Sequence, residues 1–182
     1  MVTYLSKDNR CLLKSGECQG FFYSIICVDA PYRMGYIAIP EGHPWYDITC
    51  EDYMSHPEVF PFDIQCVQPY THYDDPSDAS TTITNYKWWG FAANSIDDLH
   101  DLSLLEHAVG TVKEQSGKQE AESERDFFLL VITREAEQMA SWDKSRSLHP
   151  KPTVKTTEDM VAILEEACNL ARKATDQLLL EI

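Results

Sequence analysis

The segments FFYSIICV (Phe21–Val28) and RMGYIAI (Arg33–Ile39) decide the fold, because both are rich in aromatic and β-branched residues. Only the short segment DAPY separates them. Two strand-like segments joined by so short a turn predict an antiparallel hairpin. Pro40 and Pro44 flank Gly42 directly afterwards, and this composition cannot continue a strand. We therefore expect a turn after the second strand.

Two further segments extend the predicted sheet. TTITNYKWWGF (Thr81–Phe91) alternates its side chains with a period of two, and both of the resulting faces carry aromatic residues. FDIQCV (Phe62–Val67) is a shorter strand candidate. With the hairpin, these segments predict an antiparallel sheet of four strands.

Helical patterns occur in the second half of the chain. Ser95 to Asp98 resembles a capping box, and leucines at helical spacing follow it, which predicts a helix over about 96–113. Thr156 to Asp159 supplies N-cap chemistry before a long amphipathic repeat, which predicts a helix over 157–180. The expected fold class is α+β, with the antiparallel sheet covered on one side by these helices.

The region between the two helices has two different compositions. Residues 114–124 (EQSGKQEAESE) are polar, and we expect a flexible surface loop there. Residues 126–140 begin with the apolar run FFLLVI and continue with a helical pattern, which we interpret as a strand that feeds a helix. The chain of 182 residues is expected to form a single domain over 1–182.

Composition restricts the class of protein. Apolar residues make up 43% of the chain, which is enough for a packed core. The 30 acidic and 15 basic residues give a formal net charge of −15, so direct binding to nucleic acid or to an anionic membrane is not expected. No membrane-spanning apolar stretch is present, and the N-terminal MVTYLSKDNR lacks a signal-peptide core. We therefore expect a soluble, cytoplasmic protein.

Candidate chemistry is sparse. The seven glycines are too scattered for a GxGxxG or GxxxxGK[ST] phosphate loop, and GxSxG and HExxH do not occur. The six cysteines form no CxxC pair, and we expect reduced, structural thiols. We predict no cofactor and no metal. The alternative is a metal site drawn from irregularly spaced histidines and cysteines: His43, Cys50, His56, Cys66 and His72.

Two other groups of residues have a structural and a functional interpretation. His72 precedes Asp74 and Asp75 and could act as a general base with an orienting acid, but a solvated turn between two prolines is favoured. The aromatic cluster of Tyr86, Trp88, Trp89 and Phe91 could stack on nucleobases. Because the surrounding charge is negative, a core or a protein interface is favoured for it.

Charge is polarised along the chain. Between Met34 and Val112 there are 13 acidic residues and one basic residue, Lys87, so this segment carries −12 of the total of −15. The simplest interpretation is a solubilising surface. A sharper one is a surface that presents carboxylates to a groove built for phosphates, because a strand advances about 3.3 Å per residue, close to the phosphate spacing of DNA. The predicted partner-binding residues are Asp74, Asp75, Asp78, Asp97, Asp98 and Asp101.

Three segments carry a resemblance to a known family. GYIAIPEGHPWY (35–46), KWWGF (87–91) and the helical Met160–Ala171 follow each other in that order. This chain resembles small accessory proteins of phages and prophages with a GY-x-x-x-P-x-GHP-x-Y segment, a WWGF-like strand and a closing helix. It is also similar in length and acidity to type II anti-CRISPR proteins. The resemblance implies binding to a guide-loaded type II Cas nuclease through its basic nucleic-acid channel. It also implies that this binding takes place in the cytoplasm of a bacterial host cell.

The chain departs from that family pattern at two places. A His-Gly-Gly segment before the Trp-Trp strand is replaced by Cys66 to Tyr70, and an Asp with a His after it is replaced by Phe91 to Ser95. No family residue can therefore be assigned a catalytic role, and we expect a stoichiometric inhibitor rather than an enzyme. The alternative is a small metal-dependent or hydrolytic enzyme, or a nucleotide-binding sponge, that uses the histidines and aromatic residues of 43–91. Aromatic residues on both faces of 81–91 further suggest a homodimer.

Overall fold

The computed structural model describes residues 11–27, 30–48, 86–93, 99–142 and 151–180. Four strands form one antiparallel sheet in the order β1-β2-β3-β4, so that each strand pairs with its neighbour in sequence among the described residues. The strands are β1 (Cys11–Cys18), β2 (Phe21–Cys27), β3 (Met34–Pro40) and β4 (Tyr86–Ala92).

The predicted central hairpin is confirmed as β2 and β3, and the predicted strand 81–91 contains most of β4. The sheet also contains β1, which the sequence did not predict. Gln19 and Gly20 join β1 to β2, and both have a positive φ, of 55° and 85°. This is the backbone geometry of a tight hairpin turn whose twist matches that of the strands. The predicted strand Phe62–Val67 lies outside the described residues.

Glycines lie beneath aromatic rings at two cross-strand pairs of this sheet. Gly16 pairs with Tyr23, and Gly90 pairs with Tyr36. A Cβ atom at Gly16 would lie 2.5 Å from the Tyr23 hydroxyl oxygen, and one at Gly90 would lie 2.4 Å from the Tyr36 ring. Each ring therefore occupies the space that a side chain on the neighbouring strand would need, so a larger residue at either glycine would displace the ring.

Three helices follow the sheet: α1 (Leu105–Ser116), α2 (Lys118–Ala140) and α3 (Thr157–Leu180). The helix predicted over 96–113 begins later, because a 3₁₀ turn at Leu102–Leu104 precedes α1 and Asp101 caps that turn. The capping box proposed at 95–98 lies outside the described residues.

Two predictions for the middle of the chain are wrong. Residues 114–124, expected to be a flexible loop, belong to α1 and α2 except for Gly117, and the strand expected at the start of 126–140 is part of α2. Gly117 has a φ of 97° and separates the two helices. The polar residues on either side of it are mostly Glu, Gln, Lys and Ala, which have high helix propensity, so low hydrophobicity did not mean a loop.

The C-terminal helix α3 is confirmed with the predicted bounds of 157–180. Thr156 Oγ1 accepts a hydrogen bond from the Asp159 backbone N–H at 3.1 Å, and Asp159 Oδ2 accepts one from the Thr156 N–H at 2.8 Å. This reciprocal arrangement is a capping box. The Thr156 hydrogen bonds hold the pKa of the Asp159 carboxyl below its ordinary value.

The core lies between α3 and one face of the sheet. The buried face of α3 packs against strand residues that include Tyr23, Ile25, Ile37 and Ile39, and α1 places Ala108 against Cys27 on the same face. The prediction that helices cover one side of the sheet is thus confirmed. The opposite face of the sheet is also shielded from solvent in part, because Ile26, Tyr36 and Ala38 are buried there. The helix residues in the core are Met160, Leu164, Ala167, Cys168 and Ala171.

Candidate functional site

The predicted partner-binding carboxylates fall mostly outside the described residues. Asp74, Asp75, Asp78, Asp97 and Asp98 are not described, and Asp101 is. Asp101 lies directly before the 3₁₀ turn, where its side chain accepts a hydrogen bond from the Ser103 backbone N–H at 2.8 Å. At least one acid of the acidic segment therefore caps a turn.

Arg33 connects Asp101 to the start of α3. The guanidinium donates from Nη1 to Asp101 Oδ2 at 2.6 Å and to the Lys155 carbonyl oxygen at 2.8 Å, and from Nε to Thr157 Oγ1 at 3.0 Å. The two charged side chains are only 9% and 16% exposed. One buried cation therefore joins three regions: the residue preceding β3, the cap of the 3₁₀ turn and the N-terminus of α3.

The electrostatics of Asp101 indicate a structural carboxylate. Burial raises the pKa of its carboxyl, but hydrogen bonds from Ser103 and the Arg33 guanidinium outweigh burial and hold the pKa below its ordinary value. Asp101 is therefore ionised at neutral pH and engaged on both oxygens. These contacts give Asp101 a structural role, and its contact with a partner stays a prediction.

Replacing Arg33 with alanine is expected to destabilise the protein by about 3–5 kcal/mol, because the Asp101 carboxylate would remain partly buried without its cation. Urea denaturation of the variant measures this loss. The matched control is Arg125→Ala, which removes a pair with Glu106 whose side chains are 44% and 71% exposed. An exposed pair contributes less than about 1 kcal/mol. Equal losses in the two variants would contradict the role given to Arg33.

Lys87, the one base of the acidic segment, also has partners within the protein. Its Nζ lies 3.3 Å from Asp47 Oδ1 and 4.3 Å from the centre of the Tyr46 ring. The side chain of Asp47 is 93% exposed, so this is a surface ion pair combined with a cation–π contact. The contacts join β4 to the turn that follows β3.

His43, a metal candidate in the sequence, is a buried core residue. Its Nδ1 accepts a hydrogen bond from the Trp45 backbone N–H at 2.9 Å, so Nε2 carries the proton and donates to the Ala171 carbonyl oxygen at 2.9 Å. The rings of Phe21 and Trp45 pack edge-on against the imidazole, each with a centroid distance of 5.4 Å. Both nitrogens are thus used within the protein, and neither can bind a metal in this conformation.

Stability is expected to fall as the pH decreases through about 6.5, in part because of His43. Burial lowers the pKa of His43, and the bond to Ala171 opposes that effect only partly. The unfolded chain therefore takes up a proton at a higher pH than the folded chain, and the contribution of the neutral imidazole is complete only above about pH 7. His43→Gln, which can still donate to Ala171, should show a shallower loss of unfolding free energy between pH 7.5 and 5.5. An unchanged slope would contradict this assignment.

A histidine–carboxylate pair that the sequence did not single out lies at the start of the helical region. His100 Nδ1 is 2.7 Å from Glu135 Oε1, and Glu135 Oε2 accepts a hydrogen bond from the His100 backbone N–H at 3.0 Å. The rings of Tyr32 and Phe128 lie about 6 Å from the imidazole, and the pair is partly exposed. A carboxylate that orients Nδ1 leaves Nε2 to face other groups, as in general-base histidines. No local pattern could reveal this pair, because 35 residues separate its members.

Three cysteines of the described segments are in the expected reduced state. Cys18, Cys27 and Cys168 are free thiols. Burial, with a smaller effect of the neighbouring Cys18, raises the pKa of Cys168 to about 12, so this thiol is protonated and unreactive at neutral pH. No three His, Cys, Asp or Glu side chains in the described ranges are arranged to hold a metal ion. Likewise, none of the described helices is both long and apolar enough to cross a membrane.

The motif residues of the resemblance come together as packing partners. Gly35 pairs with Phe91, Tyr36 pairs with Gly90, and His43 is in the core between Phe21 and Trp45. In this chain the motif residues explain why β3, β4 and the following turn pack as they do. No family model, curated protein or solved structure matches the chain.

Proposed function

We propose that this protein is a stoichiometric inhibitor that binds a guide-loaded type II Cas nuclease through an acidic surface and blocks DNA binding or cleavage. The observation that carries the proposal is the charge distribution. Residues 34–112 hold 13 acids against one base, and the rest of the chain is nearly balanced, with 17 acids against 14 bases. Such a segment favours a strongly basic partner surface.

The contacts of the basic residues support this proposal. Lys87 is paired with Asp47, and Arg33, just before the acidic segment, is buried against Asp101. Arg33 is therefore used by the fold, and the charge of Lys87 is partly neutralised by Asp47. The acids of residues 34–112 that the structure describes, other than Asp101, are exposed: Glu41, Asp47 and Glu106.

Long-range attraction explains how such a surface would act. An RNA-guided nuclease holds its heteroduplex in a positively charged channel, and a protein with concentrated negative charge is attracted to the same channel. The attraction weakens with salt, since the Debye length shrinks from about 30 Å at 0.01 M to about 8 Å at 0.15 M ionic strength. Competition for the channel requires no chemical turnover, so the protein would act by occupancy.

A second candidate function rests on one observation, the pair of His100 and Glu135. An imidazole oriented by a carboxylate and flanked by aromatic rings could serve as a general base in a small hydrolytic enzyme. Glu135 and the rings of Tyr32 and Phe128 would fix the imidazole while Nε2 accepts a proton from water or a substrate hydroxyl. This second candidate function predicts that His100→Gln abolishes the hydrolytic activity.

The experiment that tests the proposal is retention of the chain on immobilised nuclease, with and without guide RNA. We expect retention on the guide-loaded nuclease at low salt, progressive loss as the salt concentration rises, and no effect of His100→Gln. Failure to bind either form at low salt would contradict the proposal. Retention that is insensitive to salt would show that charge does not drive the binding.

A further inference from the structure

The second helix, α2, buries little of its apolar surface. Among the described elements it packs mainly against the shorter α1, through the cluster that contains Ala121 and Phe128. These are its only fully buried residues within 118–140, a helix of 23 residues. The apolar run FFLLVI at 127–132 therefore has most of its members outside the core.

The exposed part of that run forms a stripe along the helix. Phe127 and Leu130 are 56% and 51% exposed, and Val131 beside them is half-buried. Residues three and four apart share one side of a helix, so the stripe continues to Glu124 in one direction and to Arg134 in the other. Exposed apolar patches of this kind mark interaction surfaces. Neither Glu124 nor Arg134 forms an ion pair with any residue in the described ranges.

We propose that this stripe is a self-association surface, on which a second copy of the chain packs its own α2 in the antiparallel direction. Along the stripe, the acid Glu124 comes first, the apolar side chains follow, and the base Arg134 comes last. A two-fold axis at the level of Leu129 places Phe127 of one copy against Val131 of the other. The same axis places Glu124 against Arg134, and it does so twice, because a two-fold interface repeats every contact.

Charge complementarity selects a second copy as the occupant. An antiparallel copy of α2 places a base opposite the acid at both ends of the stripe, whereas a parallel copy would place like charges together. The strand that first suggested a dimer is less suited to it, because Trp89 is buried in the core and Phe91 is half-buried against it. One helix pair buries less than a standard interface of about 1,200–2,000 Å², so association should be reversible and depend on concentration.

Sedimentation velocity at 0.15 M salt, over a wide range of protein concentrations, tests the proposal. We expect the mass to rise from 20.8 kDa towards twice that value as the concentration increases. Leu130→Glu should keep the chain monomeric at every concentration. The matched control is Leu129→Glu, since Leu129 is 40% exposed but lies about 200° around the helix from Phe127. This control should associate like the unmodified chain.

A charge exchange tests the antiparallel arrangement itself. Glu124→Arg and Arg134→Glu should each weaken self-association at least tenfold, and an equimolar mixture of the two variants should recover it, because each then supplies the charge that the other lacks. Circular dichroism checks that the variants fold. A chain that stays monomeric, equal effects of Leu129→Glu and Leu130→Glu, or no recovery in the mixture would overturn the proposal. A monomer whose nuclease binding is lost in Leu130→Glu would assign the stripe to the nuclease instead.

Discussion

Reversal of Asp74, Asp75 and Asp78 to lysine is expected to abolish the proposed inhibition of the nuclease while the protein remains folded. The three changes shift the formal net charge from −15 to −9 and place three positive charges within the acidic segment. Like charges would then face the basic channel, which costs several kcal/mol at an interface. Cleavage assays with increasing amounts of the variant measure the effect.

A matched control separates local charge from net charge. The triple variant with Glu137, Glu165 and Glu166 changed to lysine also has a net charge of −9, but its changes lie on exposed helix positions outside residues 34–112. We expect it to retain most of the inhibition. Equal loss in both triple variants would show that overall charge, and not the acidic segment, determines the interaction.

Deletion of α3 is expected to prevent folding. This helix packs against β1, β2 and β3, and its contact face of Met160, Leu164, Ala167, Cys168 and Ala171 is completely buried. It also supplies the carbonyl oxygen that holds His43 and the Thr157 hydroxyl that holds Arg33. A chain that ends at residue 156 should be insoluble, or should show no cooperative thermal transition.

Single substitutions on α3 give a graded form of the same test. Leu164→Ala should cost about 2–5 kcal/mol of unfolding free energy, because it leaves a cavity between the helix and the sheet. Asn169→Ala, at an exposed position of the same helix, should change stability by less than about 0.5 kcal/mol. A soluble truncation with cooperative melting, or equal effects of the two substitutions, would show that α3 is peripheral to the fold.

Local patterns were sufficient to predict part of this fold. The hairpin of β2 and β3 follows from two β-rich segments with a short turn, and the bounds of α3 follow from its capping box and its apolar repeat. In these elements the intrinsic preferences of the residues agree with their burial. Strand β1 was missed because CLLKSGEC has no regular alternation, and its pairing with β2 includes an irregularity between Leu12 and Lys14.

The region around Gly117 shows where hydrophobicity misleads. Residues 114–124 are polar and were expected to form a loop, and the apolar run at 127–132 was expected to form a strand. Apart from Gly117, both segments belong to helices that have long solvent-exposed faces. The run at 127–132 has the composition of a buried strand, but only Phe128 is buried there. The proposed self-association of α2 gives a physical reason for keeping apolar residues on a helix surface.

For the candidate partner-binding surface, the sequence could predict the excess of negative charge but not the contacts of the individual carboxylates. The excess of acids in residues 34–112 is a property of the sequence, but whether one carboxylate serves the fold or a partner depends on contacts distant along the chain. Asp101 pairs with a residue 68 positions away, and His100 pairs with one 35 positions away. His43 also illustrates this limit, because its buried hydrogen bond to Ala171 spans 128 positions. Because His43→Ala would damage the core, this variant cannot serve as a control without effect on folding in tests of nuclease binding.

The most direct test of inhibition by occupancy is a titration of DNA cleavage by a fixed amount of guide-loaded type II nuclease. We predict that activity falls in proportion to the added chain and ends at one or two chains per nuclease. Neither a chelator nor His100→Gln should change this endpoint, and neither should longer incubation. The account would be contradicted if far fewer chains than nucleases gave inhibition that increased with time and was removed by the chelator or by His100→Gln. It would also be contradicted if the nuclease kept full activity when the chain was present in excess.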